Sequence, residues 1–95
     1  MNDYGLFLDY LQSQGYSCIT NIGGKVCGLK RFAFTTGLVV GLDMFGYEGR
    51  YCFKYLSDAT EALLTWDGTG HPSGNWIKYK GQSGEFSNPN YDGNI

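Results

Sequence analysis

The stretch Ser17-Cys18-Ile19-Thr20-Asn21-Ile22-Gly23-Gly24-Lys25-Val26-Cys27 decides the fold class. Gly23-Gly24 is a two-residue loop free to take positive φ at both positions. It lies between two segments with an apolar period of about two, Ser17–Ile22 and Lys25–Phe34. That pattern predicts a β-hairpin with a type I′ turn. Downstream, Thr35-Thr36-Gly37 leads into Leu38–Asp43, whose apolar, β-branched run suits a central strand. Gly46-Tyr47-Glu48-Gly49 is a glycine-flanked turn before Arg50–Tyr55. In that strand Tyr51, Phe53 and Tyr55 point one way, and Arg50, Cys52 and Lys54 the other. The centre of the chain therefore reads as an antiparallel meander.

Helical signals flank the meander. On the N-terminal side Tyr4, Phe7, Leu8 and Leu11 fall at i, i+3, i+4 and i+7, with Asn2 placed to cap, Asp3 at the positive end of the dipole and Gly15 to terminate. On the C-terminal side Ala59, Ala62, Leu63 and Trp66 repeat the stripe. Ser57 or Asp58 is the expected cap, the Asp58-to-Glu61 spacing fits a capping box, and Asp67-Gly68 is the stop. A loop with two glycines and a proline, Thr69–Gly74, precedes a short strand, Asn75–Lys80, carrying Trp76, Ile77 and Tyr79. The last fifteen residues hold three Gly, three Asn, two Ser and one Pro, too little apolar surface to fold alone.

The expected architecture is α+β: an N-terminal helix, a four-stranded antiparallel meander, a second helix on one sheet face and a short fifth edge strand. Residues 1–80 form one domain, and 81–95 a Gly/Asn/Ser-rich tail or a strap held by Phe86 and Tyr91. Both helix stripes are expected to meet the same face of the sheet.

Ninety-five residues make one domain. Two Trp, eight Tyr and six Phe supply large buried area, whereas charged residues, at 17%, are fewer than the roughly 25% of an average domain. The net charge of −2 argues against a strongly basic nucleic-acid binder and is too small for an acidic DNA mimic. No apolar run approaches the roughly 18 residues of a membrane span, and no signal peptide is read. A cytoplasmic protein with no membrane partner is expected.

Cys18, Cys27 and Cys52 are best read as reduced thiols, although a Cys18–Cys27 cross-strand contact is geometrically open. They form no metal motif with His71, so neither metal nor cofactor is expected. His71 is the only histidine and reads as an exposed loop residue beside Pro72. A nucleophilic use would need Asp67 to orient it and Cys52 in reach, and nothing in the sequence brings these together. The carboxylates are scattered, and the nearest sheet pair, Asp43 and Glu48, flanks one turn. No catalytic residue is assigned, and the chain is read as a non-enzyme.

Two surfaces remain. All seven basic residues lie in or beside strands, so Lys25, Arg31, Arg50, Lys54, Lys78 and Lys80 are candidates for a nucleic-acid face interleaved with Tyr. The tyrosine surplus points instead to protein contacts. Met44, Phe45, Tyr47, Arg50, Trp76 and Tyr79 are the candidate partner-binding residues, because apolar residues in the Met44–Tyr47 turn have no other explanation.

Arg50-Tyr51-Cys52-Phe53, Ala62-Leu63-Leu64-Thr65-Trp66-Asp67-Gly68 and Pro72-Ser73-Gly74-Asn75-Trp76-Ile77-Lys78 resemble a group of small phage and prophage proteins. These join an aromatic-Cys-aromatic strand to a helix ending in Trp-Asp-Gly and a Pro/Gly loop into Trp-Ile-Lys. The likeness covers about a third of the chain, with Ser73 and Asn75 standing where a more Pro-rich loop is usual. The group carries no established activity and so assigns no site residue. The resemblance implies a mobile-element setting. The expected function is that of a non-catalytic protein that binds and blocks a host protein, such as a CRISPR effector or another defence or nucleic-acid-processing complex. A nucleic-acid module on the basic sheet is the alternative, and self-association stays open.

Overall fold

The computed structural model describes residues 3–91. Its elements are α1 (Asp3–Ser13), β1 (Ser17–Ile22), β2 (Lys25–Arg31), β3 (Thr36–Val40), β4 (Gly49–Phe53), α2 (Leu56–Thr65), β5 (Trp76–Gly81) and β6 (Gly84–Ser87). The fold is α+β. All six strands form one antiparallel sheet in the order β1-β2-β3-β4-β5-β6. The meander thus has six strands rather than four and a fifth. β5 is interior, and the edge on that side is β6, formed by part of the segment expected to be a tail or strap. Gln82 and Ser83 reverse the chain between Gly81 and Gly84, which takes a φ of 126°. Small polar residues make a hairpin turn as readily as a tail, so composition did not separate the two.

The Gly23-Gly24 turn forms as expected, with φ of 60° and 88°. β2 stops at Arg31 because Phe32 N–H donates to the Thr35 carbonyl and turns the chain. β3 stops at Val40 because Gly41 takes a φ of 72°. β4 stops at Phe53, so Tyr55 is not part of the strand but the cap position of α2, and it is half exposed. α2 begins earlier than expected and has no side-chain cap. Asp58 lies within its first turn, where it faces the positive end of the dipole, and no capping box forms. At the other helix Gly15 closes α1 with a φ of 95°. The expected cap Asn2 lies outside the described residues, as do the side chains of Asp3 and Tyr4.

The two helices cover opposite faces of the sheet, which corrects the expectation of one shared face. Ala59, Ala62 and Leu63 of α2 pack on Cys27, Leu29, Leu38, Val40, Tyr51 and Phe53. Leu11 and Phe7 of α1 pack with Val39, Leu42, Val26, Ile19, Tyr16 and Tyr47. The reason lies in β3. Every residue from Thr36 to Val40 is buried, and alternation sends Leu38 and Val40 to one side and Val39 to the other. A strand apolar on both faces needs cover on both.

β1 serves both cores by alternation, with Ile19 on the α1 side and Ile22 on the α2 side. Cys18 takes a φ of 54° at a bulge where the β1–β2 register shifts. The register set by the Gly23-Gly24 turn separates the cysteines. Cys27 stands opposite Thr20 and is fully buried, Cys18 is exposed, and all three cysteines are free. The open Cys18–Cys27 contact is not made.

Candidate functional site

Two surfaces gather the chemistry-bearing residues. The first is the loop between β3 and β4, where a chain of hydrogen bonds fixes the backbone. Leu42 N–H donates to Val26 O and Glu48 N–H to Val40 O, both at 2.9 Å. Between them Asp43 N–H donates to Gly46 O at 2.9 Å. The Asp43 carboxylate Oδ1 accepts from the Phe45 and Gly46 amides at 2.7 and 2.8 Å. Asp43 is therefore the turn's internal clamp. At the tip Phe45 is 98% exposed and Met44 53%.

Tyr47 points the other way, into the α1-side core. Its hydroxyl accepts from Arg50 Nη1 at 2.7 Å, while the Arg50 guanidinium lies 4.6 Å from the centre of the Phe32 ring. Beside the turn Phe45 lines a shallow hollow with Tyr10, Tyr16, Tyr47 and Lys30. The Lys30 ammonium stands 4.9 Å over the Tyr16 ring. Burial, then the nearby Tyr47 and Tyr10, raise the Tyr16 hydroxyl pKa above its ordinary value.

The second surface is a cleft on the α2 side, beyond the end of that helix, with a volume of about 290 Å³. Tyr51 forms its floor and packs edge-on to Trp66 and Trp76, with ring centres 5.5 and 5.1 Å away. The loop after α2 brings His71 over this cluster, where Nδ1 and the Tyr51 hydroxyl share a hydrogen bond of 2.7 Å. Tyr79 and Phe86 stack at 5.9 Å along the far wall. Lys25 and Glu48 also line the cleft and form an ion pair at 2.5 Å, each side chain roughly half exposed. Glu48 raises the Lys25 pKa above the usual lysine value, chiefly through that hydrogen bond. Burial, then the neighbouring Tyr79, push the Tyr51 hydroxyl up to about 12.

The candidate partner residues divide between these surfaces. Met44 and Phe45 are at the turn tip, Tyr47 and Arg50 beneath it, and Trp76 and Tyr79 are buried in the aromatic cluster on the other side. The basic residues do not all gather on one face. Arg50 stands opposite Lys80 and Cys52 opposite Lys78 on the α1 side, where Lys78 and Lys80 both reach Glu85. Lys25 is on the α2 side with Glu48. Arg31 is exposed at the end of β2, and Lys54 lies over Tyr55.

His71 is exposed, as expected, yet partnered. Its neighbours are aromatic, and Cys52 faces the opposite side of the sheet from Tyr51, so these two do not meet. Asp67 accepts instead from the Thr69 amide. Among the described residues no cluster of His, Cys, Asp or Glu is placed to hold a metal ion, and no helix is long and apolar enough to cross a membrane.

Sequence reasoning missed the company of Tyr10, Tyr16 and Lys30 at the turn, and of Trp66 and His71 with Tyr51. The tyrosine surplus was the only signal of the first. Nothing local signalled the second, because its residues come from β4, the end of α2 and the loop that follows it. The chain matches no family model, no curated protein and no solved structure.

Proposed function

We propose that this chain is a non-catalytic binding protein that acts by occluding a site on another protein, with the Met44–Tyr47 turn as its anchor. The observation that carries the reading is Phe45, an almost fully exposed aromatic ring on a backbone held by Asp43 and by hydrogen bonds on both sides. Exposing such a ring to water is unfavourable, whereas a preorganised aromatic inserted into a partner pocket loses little conformational entropy on binding. The adjoining tyrosines supply the surrounding contact area that interface hot spots use. The likeness to phage and prophage proteins makes a host protein, of a defence or nucleic-acid-processing complex, the partner class to try first.

The experiment is affinity capture from bacterial lysate with the wild-type chain, Phe45→Ala and a distant control, Leu64→Ala. A specific partner is retained by the wild type and the control and lost by Phe45→Ala. Equal capture by all three, or none above background, rejects the reading.

A further inference from the structure

We propose that the cleft between Trp66, His71 and Phe86 is a binding site for a neutral saccharide, one pyranose ring at a time. This is independent of the turn around Phe45 and adds a small-molecule ligand to a protein-binding chain. The Lys25–Glu48 pair lines this cleft with both side chains roughly half exposed. Ion pairs this exposed contribute little to stability, because water screens them and two long side chains must be ordered. Here the pair borders a cleft walled by aromatic rings, where its use is recognition.

Charge narrows the ligand first. Lys25 and Glu48 cancel, so the cleft offers no net field to hold a phosphate. Hydrogen-bonding capacity narrows it next. An ammonium has three donors and a carboxylate about four acceptor sites, so each retains capacity after meeting the other. Together they present a donor and an acceptor side by side, 2.5 Å apart. Neighbouring hydroxyls on a pyranose are the complement, since each is both donor and acceptor. One donates to Glu48 while the next accepts from Lys25. With Nδ1 of His71 engaged by Tyr51, Nε2 is the polar atom the imidazole has left for a third hydroxyl.

The rings decide between a sugar and a flat base. A nucleobase is bound by stacking on an open aromatic face. Tyr51 meets Trp66, His71 and Trp76 at 78°, 79° and 79°, and the one near-parallel pair, Tyr79 and Phe86, is already stacked on itself. That leaves one-sided platforms, which suit the C–H face of a pyranose. A volume near 290 Å³ is at the small end of the roughly 300–1,000 Å³ range of ligand clefts, room for a single ring.

The test is NMR titration of the labelled chain with glucose, galactose, mannose and N-acetylglucosamine, with guanosine and choline as competing chemistries. The proposal expects saturable shifts at the Trp66 indole, His71 and Phe86 with at least one sugar, and none with the other two. Glu48→Gln keeps the shape but removes the charge, and should weaken that sugar at least about tenfold. Lys25→Met should do the same, and Lys54→Met should not. No saturable shift with any sugar at tens of millimolar overturns the proposal. So does preference for guanosine or choline, or sugar binding indifferent to both cleft variants.

Discussion

The Tyr51 hydroxyl and Nδ1 of His71, twenty residues apart in sequence, share a 2.7 Å hydrogen bond that ties the loop after α2 to the middle of the sheet. The imidazole tautomer decides which of the two donates. The bond satisfies a hydroxyl whose ring is 4% exposed, in a place where an unpaired polar atom would be costly.

The burial of Tyr51, with Tyr79 beside it, predicts how stability responds to alkali. Tyr51 titrates near 12 in the folded chain and near about 10 when unfolded. The unfolded chain therefore loses the proton first. The stability that depends on the neutral hydroxyl is complete below about pH 10 and lost as pH rises through 12. Tyr51→Phe should cost about 1 kcal/mol at neutral pH and flatten the alkaline decline. Urea unfolding of both proteins across that range checks this, and parallel pH curves would refute it.

Tyr79 lies across the cross-strand pair Gly49 and Gly81. A Cβ on Gly81 would come within 2.4 Å of the Tyr79 hydroxyl and 2.6 Å of the Glu48 carbonyl oxygen. The second contact is backbone and cannot swing away. Gly81→Ala should destabilise by about 1–3 kcal/mol, read as a lowered urea midpoint with unchanged slope.

The cysteines should differ in reactivity. Cys18 is exposed, Cys52 half-buried, and Cys27 fully buried with its thiol pKa raised by that burial. A thiol reagent followed by peptide mapping should label Cys18 first and Cys27 only on unfolding. Early labelling of Cys27 would contradict the packing under α2.

Both faces of the sheet should matter for stability. Leu11 of α1 is 1% exposed, and Leu63 of α2 is 5% exposed. Leu11→Ala and Leu63→Ala should each cost about 2–5 kcal/mol in urea unfolding. A cost well below that range for Leu11→Ala alone would show that α1 is not a working half of the core.

At the turn, stability and binding should separate. Phe45→Ala should shift unfolding by less than about 0.5 kcal/mol, because the ring is in water. Asp43→Ala removes the acceptor for two amides and should cost about 0.5–1.5 kcal/mol. It should also speed amide exchange at Phe45 and Gly46, measured by NMR.

Local chemistry made much of the fold legible. Gly23-Gly24 marked its hairpin, Ala59/Ala62/Leu63 marked the face α2 buries, and Met44 and Phe45 were marked as exposed, whereas Tyr47 of the same turn packs inward. Each of these depends on a few adjacent residues. The cleft was not legible, because Lys25, Glu48, Tyr51, Trp66, His71 and Phe86 become neighbours only when the strands pair and the loop folds over them.

Periodicity and turn residues, which act over short distances, set the α+β class, the antiparallel pairing and the positions of both helices. Only the tertiary structure decided that α1 and α2 take opposite faces, that Gly84–Ser87 closes the sheet as a sixth strand, and that His71 bonds Tyr51. In each case the outcome depends on packing across the assembled sheet rather than on adjacent residues. The doubly apolar strand Leu38-Val39-Val40 left one face for each helix. The open edge of β5 was available to the segment that followed it.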